Sequence, residues 1–290
     1  MVIDTFLYYN EIELLELRLK VLYDYVDRFV IVEGDHTHKG DPIPFRVKND
    51  LKKLGYENDR KIHVIEVNLK SFDEEPDPWK RSDRARNAQA HIYSGDDDIV
   101  IIADIDELWH PHYLNQHVKY LNQNPTHVLI NRCWDLQGQA DLGLYTKHNN
   151  ECNSNAPLFA KGSFWKTHSP ASVRWICGWG GHKDDFPFIV NWFSDVRKGW
   201  HLSYMGNTER KLSKINTSCH WDDQWVPGIP FESDYTRNRF ENFDGKPLTD
   251  GRDLLGRENF YVKQFDYTEL FNIIGDDSDH LKDWLLGRNI

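Results

Sequence analysis

Ile99-Val100-Ile101-Ile102-Ala103-Asp104-Ile105-Asp106-Glu107 is the stretch that decides the fold. Five apolar residues in a row, closed by acids, read as a strand buried on both faces, as in the middle of a parallel sheet. Upstream, strands are expected over 2–9, 28–33 and 61–67, with helices over 11–24, 48–55 and 80–94 between them. The first helix carries Ile12, Leu15, Leu19 and Leu22 on one face, with Asn10 placed as its N-cap and Glu11 and Glu13 in its first turn. Downstream, a helix over 110–122 and a strand over 127–132 continue the alternation. This rhythm predicts an α/β domain, a mostly parallel sheet flanked by helices. Ligands of such sheets bind beyond the carboxyl ends of the strands, where Asp104 and Asp106 fall.

From about residue 133 the pattern loosens into Trp-, Gly-, His- and Asn-rich sequence, expected to form irregular sheet and long loops along one wall of a cleft. Helical periodicity returns near 266. The expected organisation is one domain over 1–290: a ligand-binding half (1–132), an irregular half (133–265) and a helical tail (266–290). The chain has 39% hydrophobic and 28% charged residues, which is ordinary for a globular protein, but its 11 Trp are many. Flat aromatic faces suit sugar rings, though Trp fills cores as well. A net charge of -11 disfavours nucleic acid as a partner. An acidic protein that binds an anionic ligand needs a divalent cation, a few arginines, or both. Cysteines at 133, 152, 177 and 219 form no CxxC pair, and no apolar run is long enough to span a membrane. With no leader-like N-terminus, a cytoplasmic protein is expected, bacterial or acting in a host cytoplasm if viral.

Strand period two would put Asp104 and Asp106 on one side, where two carboxylates could hold a hard cation such as Mn²⁺ or Mg²⁺. Acids after a strand are also common on surfaces. Haloacid-dehalogenase-type phosphatases share the spacing, but usually after the first strand. Nucleotidyltransferases want a Gly- and Arg-rich loop where this chain has Tyr8-Tyr9-Asn10-Glu11. A second cluster, Lys80, Arg81, Arg84 and Arg86, could clamp phosphate oxygens or be a solvated basic face. A third runs from Gly199-Trp200-His201 through Lys211 and Lys214 to His220-Trp221-Asp222, with His201 a candidate third metal ligand. A fourth, Gly178-Trp179-Gly180-Gly181, leads to Asp184 and Asp185, either of which could serve as a general base. His36 and His38, and His110 and His112, read as loop structure.

Taken in order, these blocks resemble glycosyltransferase family 17, which includes the transferase that adds bisecting GlcNAc to N-glycans. The resemblance rests on Asn10-Glu11 through Arg18-Leu19, Val26-Asp27 through Glu33, Thr37 through Pro44, Arg86-Asn87-Ala88, Asp104-Ile105-Asp106-Glu107, and Gly199-Trp200-His201 with the region from Lys214 to His220. It spans roughly residues 3–225 and is poor over 135–198, so the acceptor is not carried over. The resemblance implies a GT-A-type (Rossmann-like) fold, a UDP-sugar donor, Mn²⁺ or Mg²⁺, and inversion at the anomeric carbon. On that expectation Asp104, Asp106 and His201 are the candidates for the metal, and Asn10, Glu11, Glu33, Arg84, Arg86 and Asp104 those for the donor. Asp184, Asp185 and Glu107 are the candidate bases, acting on a hydroxyl of a glycan or other acceptor. Two alternatives stay open: a sugar-binding protein without catalysis, and a transferase acting on a modified nucleobase in DNA.

Overall fold

The computed structural model describes residues 1–90, 95–131, 133–136, 143–148, 157–179, 189–190, 198–218, 238 and 260–286. The chain divides into two compact units, Met1–Cys133 with Ser154–Gly199, and Trp134–Asn153 with Trp200–Ile290.

In the first unit, β1 (Val2–Tyr8), α1 (Ile12–Leu22), β2 (Arg28–Gly34), α2 (Val47–Lys53), β3 (Ile62–Val67), α3 (Pro78–Ala88) and β4 (Ile99–Asp104) follow the alternation read from the sequence. The short β5 (Glu107–Trp109), α4 (Leu114–Gln123) and β6 (Val128–Ile130) come next. β1 pairs in parallel with both β2 and β4, and β2 in parallel with β3. Four further elements of this unit come from sequence expected to be irregular. β9 (Leu158–Lys161) enters the sheet antiparallel between β4 and β6, and β10 (Ile189–Val190) pairs with β6. α6 (Pro170–Trp179), after a one-turn α5 (Gly162–Trp165), packs against α3. The sheet is thus seven-stranded and mixed, in the order β10-β6-β9-β4-β1-β2-β3.

The sheet's centre explains the decisive stretch. Ile101, Ile102 and Ala103 of β4 and Ile3 and Phe6 of β1 are fully buried. Each large aliphatic side chain there contributes about 1.5–3 kcal/mol relative to exposure. Helix α1 buries more than one stripe: Leu14, Leu17, Arg18 and Val21 are covered as well as Leu15, Leu19 and Leu22. Its N-cap position is Glu11, which makes no side-chain cap bond. Asn10, expected there, instead takes a left-handed backbone (φ 49), a conformation Asn tolerates better than most residues. α3 starts earlier than expected because Asp77 caps it, its side chain accepting from the Trp79 N–H at 2.9 Å, with Pro78 in the first turn.

Arg18 and Asp4 are charged residues inside this core, 1% and 0% exposed. Arg18 Nε and Nη2 donate to the two oxygens of Asp4, each at 2.7 Å. Its Nη1 donates to the backbone carbonyls of Asp104 (3.2 Å), Ile105 (3.2 Å) and Glu107 (2.9 Å). Trp109 Nε1 donates to Asp4 at 3.1 Å, and the Phe6 ring lies 4.7 Å from the guanidinium carbon.

In the second unit, β7 (Trp134–Asp135) pairs in parallel with β11 (Gly199–His201), joining Trp200 to Trp134 and His201 to Asp135. β8 (Gly143–His148) pairs antiparallel with β12 (Phe260–Phe265). Helices α7 (Thr208–Thr217), α8 (Thr268–Ile274) and α9 (Asp279–Leu285) follow, the last two where a helical tail was expected. Among the described residues, no helix is long and apolar enough to cross a membrane.

Replacing Arg18 with Met strands the Asp4 carboxylate in the core and frees three carbonyls of the acidic turn. Loss of about 3–5 kcal/mol of unfolding free energy is expected, read as a lowered urea midpoint at unchanged slope.

Candidate active site

The parallel register places the ends of three strands side by side. Leu7 of β1 lies opposite Asp104 of β4, and Tyr8 opposite Glu33 of β2. Asp104 and Glu33 therefore flank the end of β1, two strand spacings apart, on the order of 10 Å.

Strand β4 ends at Asp104, residues 105 and 106 form a turn, and β5 begins at Glu107. Strand alternation does not reach Asp106, so the expectation that period two aligns the two aspartates is corrected. Asp104 has a side chain 30% exposed, whereas Asp106 is 3% exposed overall. Glu107, at 1% exposure, turns inward.

Two arginines meet these acids. From α3, Arg86 donates through Nη1 to Asp104 Oδ1 at 2.8 Å and through Nη2 to Oδ2 at 3.2 Å. From α6, Arg174 donates through Nη2 to the same Oδ2 at 3.2 Å. Arg174 also grips Glu107, through Nη1 to Oε2 at 2.7 Å and through Nη2 to Oε1. Glu107 Oε2 in turn accepts the Asp104 N–H at 2.9 Å, closing a ring around the turn. Burial by itself would raise the Asp104 carboxyl, but Arg86 and Arg174 outweigh it and hold it far below the ordinary carboxylate range. Asp104 is therefore an anion at any physiological pH.

Asn87 adjoins Arg86 and explains why the two occur together. Its side-chain oxygen accepts from Ser169 Oγ (2.7 Å) and from the Ala171 N–H (3.0 Å), at the N-terminus of α6. One residue of α3 thus binds Asp104, and the next fixes the helix that carries Arg174.

At the other side of β1, Glu33 is 2% exposed and accepts the N–H groups of Arg46 (2.6 Å) and Val47 (3.1 Å) at the start of α2. Burial raises its carboxyl above the ordinary range, against those two bonds. Arg46 Nη1 donates to Asn10 Oδ1 at 2.8 Å, so Arg46 joins Asn10 and Glu33. Glu11, half-buried, follows Asn10 directly. Tyr8 donates to Asp50 at 2.6 Å beneath them.

Arg84 is exposed, and two positions from Arg86 it leaves α3 on nearly the opposite face. It lines an open cavity with Lys80, Val67 and Asn68 at the end of β3, away from Asp104. Arg81 is fully buried and structural, with Nε on the His38 carbonyl at 2.6 Å. His36 Nδ1 bonds Asp35 at 2.8 Å in a loop, whereas His110 and His112, expected in a loop, belong to a 3-10 turn over Pro111–Tyr113 that His110 caps, its Nδ1 accepting the His112 N–H at 3.1 Å. His201 stands in the second unit, with Nε2 2.9 Å from Ser203 Oγ. Lys211 of that unit is buried, which pulls its ammonium down to about 7, helped by Arg210. Asp184, Asp185, Gly180, Gly181, His220, Trp221 and Asp222 lie outside the described residues. Among the described residues, no three His, Cys, Asp or Glu side chains gather as a metal site.

Sequence reasoning missed Asp4, Arg46 and Arg174. The signal for Arg174 was present: Ser169-Pro170 opening the run Ala171-Ser172-Val173-Arg174-Trp175-Ile176 is a helix start.

Fold and site define an α/β protein that presents an acidic turn, flanked by arginines, at the carboxyl end of its central strands. Residues 1–130 match the family model described as Glycosyltransferase family 17. The resemblance read from the sequence is thereby shown over the stretch that holds Asn10, Glu33, Arg86 and the acidic turn, and the activity of that family is glycosyl transfer. No curated protein matches the chain.

Asp104→Asn is expected to lower stability at neutral pH. A carboxyl depressed in the folded state stabilises above its unfolded value of about 3.9 and loses that contribution as pH falls toward the folded value. The gap between wild type and variant should accordingly narrow below about pH 4 in chemical denaturation across pH. A gap constant with pH would detach Asp104 from its arginines.

Proposed function

We propose that the chain is a metal-dependent, inverting glycosyltransferase that moves a hexose, GlcNAc or a relative, from a UDP-sugar to a hydroxyl of a glycan or other acceptor. The observation that carries this reading is the ionised, partly exposed Asp104 at the end of a buried strand, with two guanidinium groups beside it. The donor set suits Mn²⁺ or Mg²⁺. Such ions are commonly held by one or two carboxylates, with phosphate oxygens and water completing the shell. Asp104 and Asp106 are the two carboxylates, and His201 is a further ligand in this reading. When bound, the ion supplies positive charge to the departing diphosphate.

The chain's own residues do the rest. Arg86 and Arg174 offset charge on the phosphates where it develops. Asn10, Glu11 and Glu33, with Arg46 between Asn10 and Glu33, border the nucleotide end. The acceptor oxygen bonds to the anomeric carbon from the face opposite the diphosphate, the bond to the diphosphate breaks, and the acceptor proton passes to a carboxylate. Asp184 and Asp185 are the favoured bases. Glu107 has both oxygens engaged by Arg174 and the Asp104 N–H, an arrangement that suits positioning better than proton transfer. Arg84, facing the cavity beside β3, is less suited to the donor phosphates than Arg86. A cytoplasmic site of action belongs to the same reading.

Thermal shift with UDP-sugars, with and without Mn²⁺, tests it. A donor at 100 times its Kd stabilises the folded state by about 2.7 kcal/mol, and the gain should require the metal. Asp106→Ala should cut metal-dependent transfer by about two orders of magnitude or more while the melting curve stays cooperative. Wild-type turnover in that variant would end the metal assignment. Absence of both UDP-sugar hydrolysis and metal-dependent stabilisation would favour a sugar-binding protein.

A further inference from the structure

The two arginines on Asp104 differ in how they hold it. Arg86 reaches it with both terminal nitrogens, the shorter contact being 2.8 Å. Arg174 gives it one contact of 3.2 Å, long for a charge-assisted bond, and puts its close contacts on Glu107. Arg174 can therefore release Asp104 without leaving Glu107, which is buried and needs its positive partner. Both arginine side chains keep some exposure, 11% for Arg86 and 16% for Arg174.

Charge balance sets what can enter. Asp104, Asp106 and Glu107 are formally three negative charges against the two positive charges of Arg86 and Arg174. A divalent cation entering alone reverses the sign of the cluster. A divalent cation entering with a diphosphate leaves the balance near where it began.

We infer that Arg174 is an internal counter-cation that covers Asp104 while no donor is bound, and that it turns from Asp104 to the diphosphate when the divalent cation takes that carboxylate. The inference rests on the metal-dependent reading above and deepens it: cation and nucleotide bind as a coupled pair. The helix of Arg174 is held by Asn87, one residue from Arg86, so both cations are referred to the same turn of α3.

The test is a titration of Mn²⁺ into the full chain, with free Mn²⁺ followed by electron paramagnetic resonance, in the absence and presence of UDP. Wild type should bind Mn²⁺ about tenfold or more tightly with UDP than without, the scale of ordinary coupling between two ligands. Arg174→Gln should bind Mn²⁺ without UDP about tenfold more tightly than wild type, and UDP should add correspondingly less. Because that change strands Glu107, the double variant Arg174→Gln/Glu107→Gln is measured beside it. The pair of changes leaves the net charge of the cluster as in wild type, so a gain in Mn²⁺ affinity then reports release of Asp104. A damaged fold would weaken Mn²⁺ binding, so only a gain supports the inference. Unchanged or weaker nucleotide-free Mn²⁺ binding in the folded double variant overturns the counter-cation role and leaves the metal reading standing. Failure of every protein, wild type included, to bind Mn²⁺ with or without UDP overturns the metal reading itself.

Discussion

The buried pair between Arg18 and Asp4 is the constraint on which the site depends. Asp4 belongs to the central strand β1 and Arg18 to the helix that follows it, and neither is exposed by more than 1%. Placing two charges there is costly, and an ion pair alone seldom repays the desolvation. What offsets the cost is that each N–H edge of the guanidinium has work: two edges meet Asp4, and the third meets the carbonyls of Asp104, Ile105 and Glu107. Those carbonyls run from the last residue of β4 through the turn to the first residue of β5. Arg18 supplies donors where the sheet ends, and so fixes the backbone that carries three carboxylates.

On the other side of that turn the charges are reversed. Arg86 and Arg174 reach Asp104 and Glu107 from helices α3 and α6, and Asn87 ties α6 to α3. The acidic turn is thus gripped from below by its main chain and from the side by its carboxylates. Such a network, with each carboxylate of Asp104 and Glu107 met by a guanidinium, holds the turn in one geometry.

Much of the first unit was legible in the residues. Period-two and apolar runs gave β1 to β4, and the 3.6-residue pattern gave α1 and α4, because burial of one face imposes those spacings. Asn10 shows where local signals mislead. Its type and place suggest a cap, yet it takes a left-handed backbone and accepts from Arg46, a partner 36 positions away. Arg84 and Arg86 look alike in sequence, but the facing of α3 sends one to an open cavity and the other to Asp104. Glu33 also accepts the first N–H groups of α2, a contact 13 and 14 positions along the chain that its residue type does not announce.

The sequence by itself determined the α/β class, the family resemblance and the position of the acidic turn at a strand's carboxyl end. These follow from periodicity and residue type, which act over a few neighbours. Only the tertiary structure decided that β9 inserts antiparallel beside β4, that Arg174 arrives from 67 and 70 positions away to meet Glu107 and Asp104, and that Asp106 is buried where Asp104 is not. The physical reason is that long-range ion pairs and strand insertion are settled by which surfaces pack. No spacing along the chain records the desolvation and geometry that choose one arginine over another.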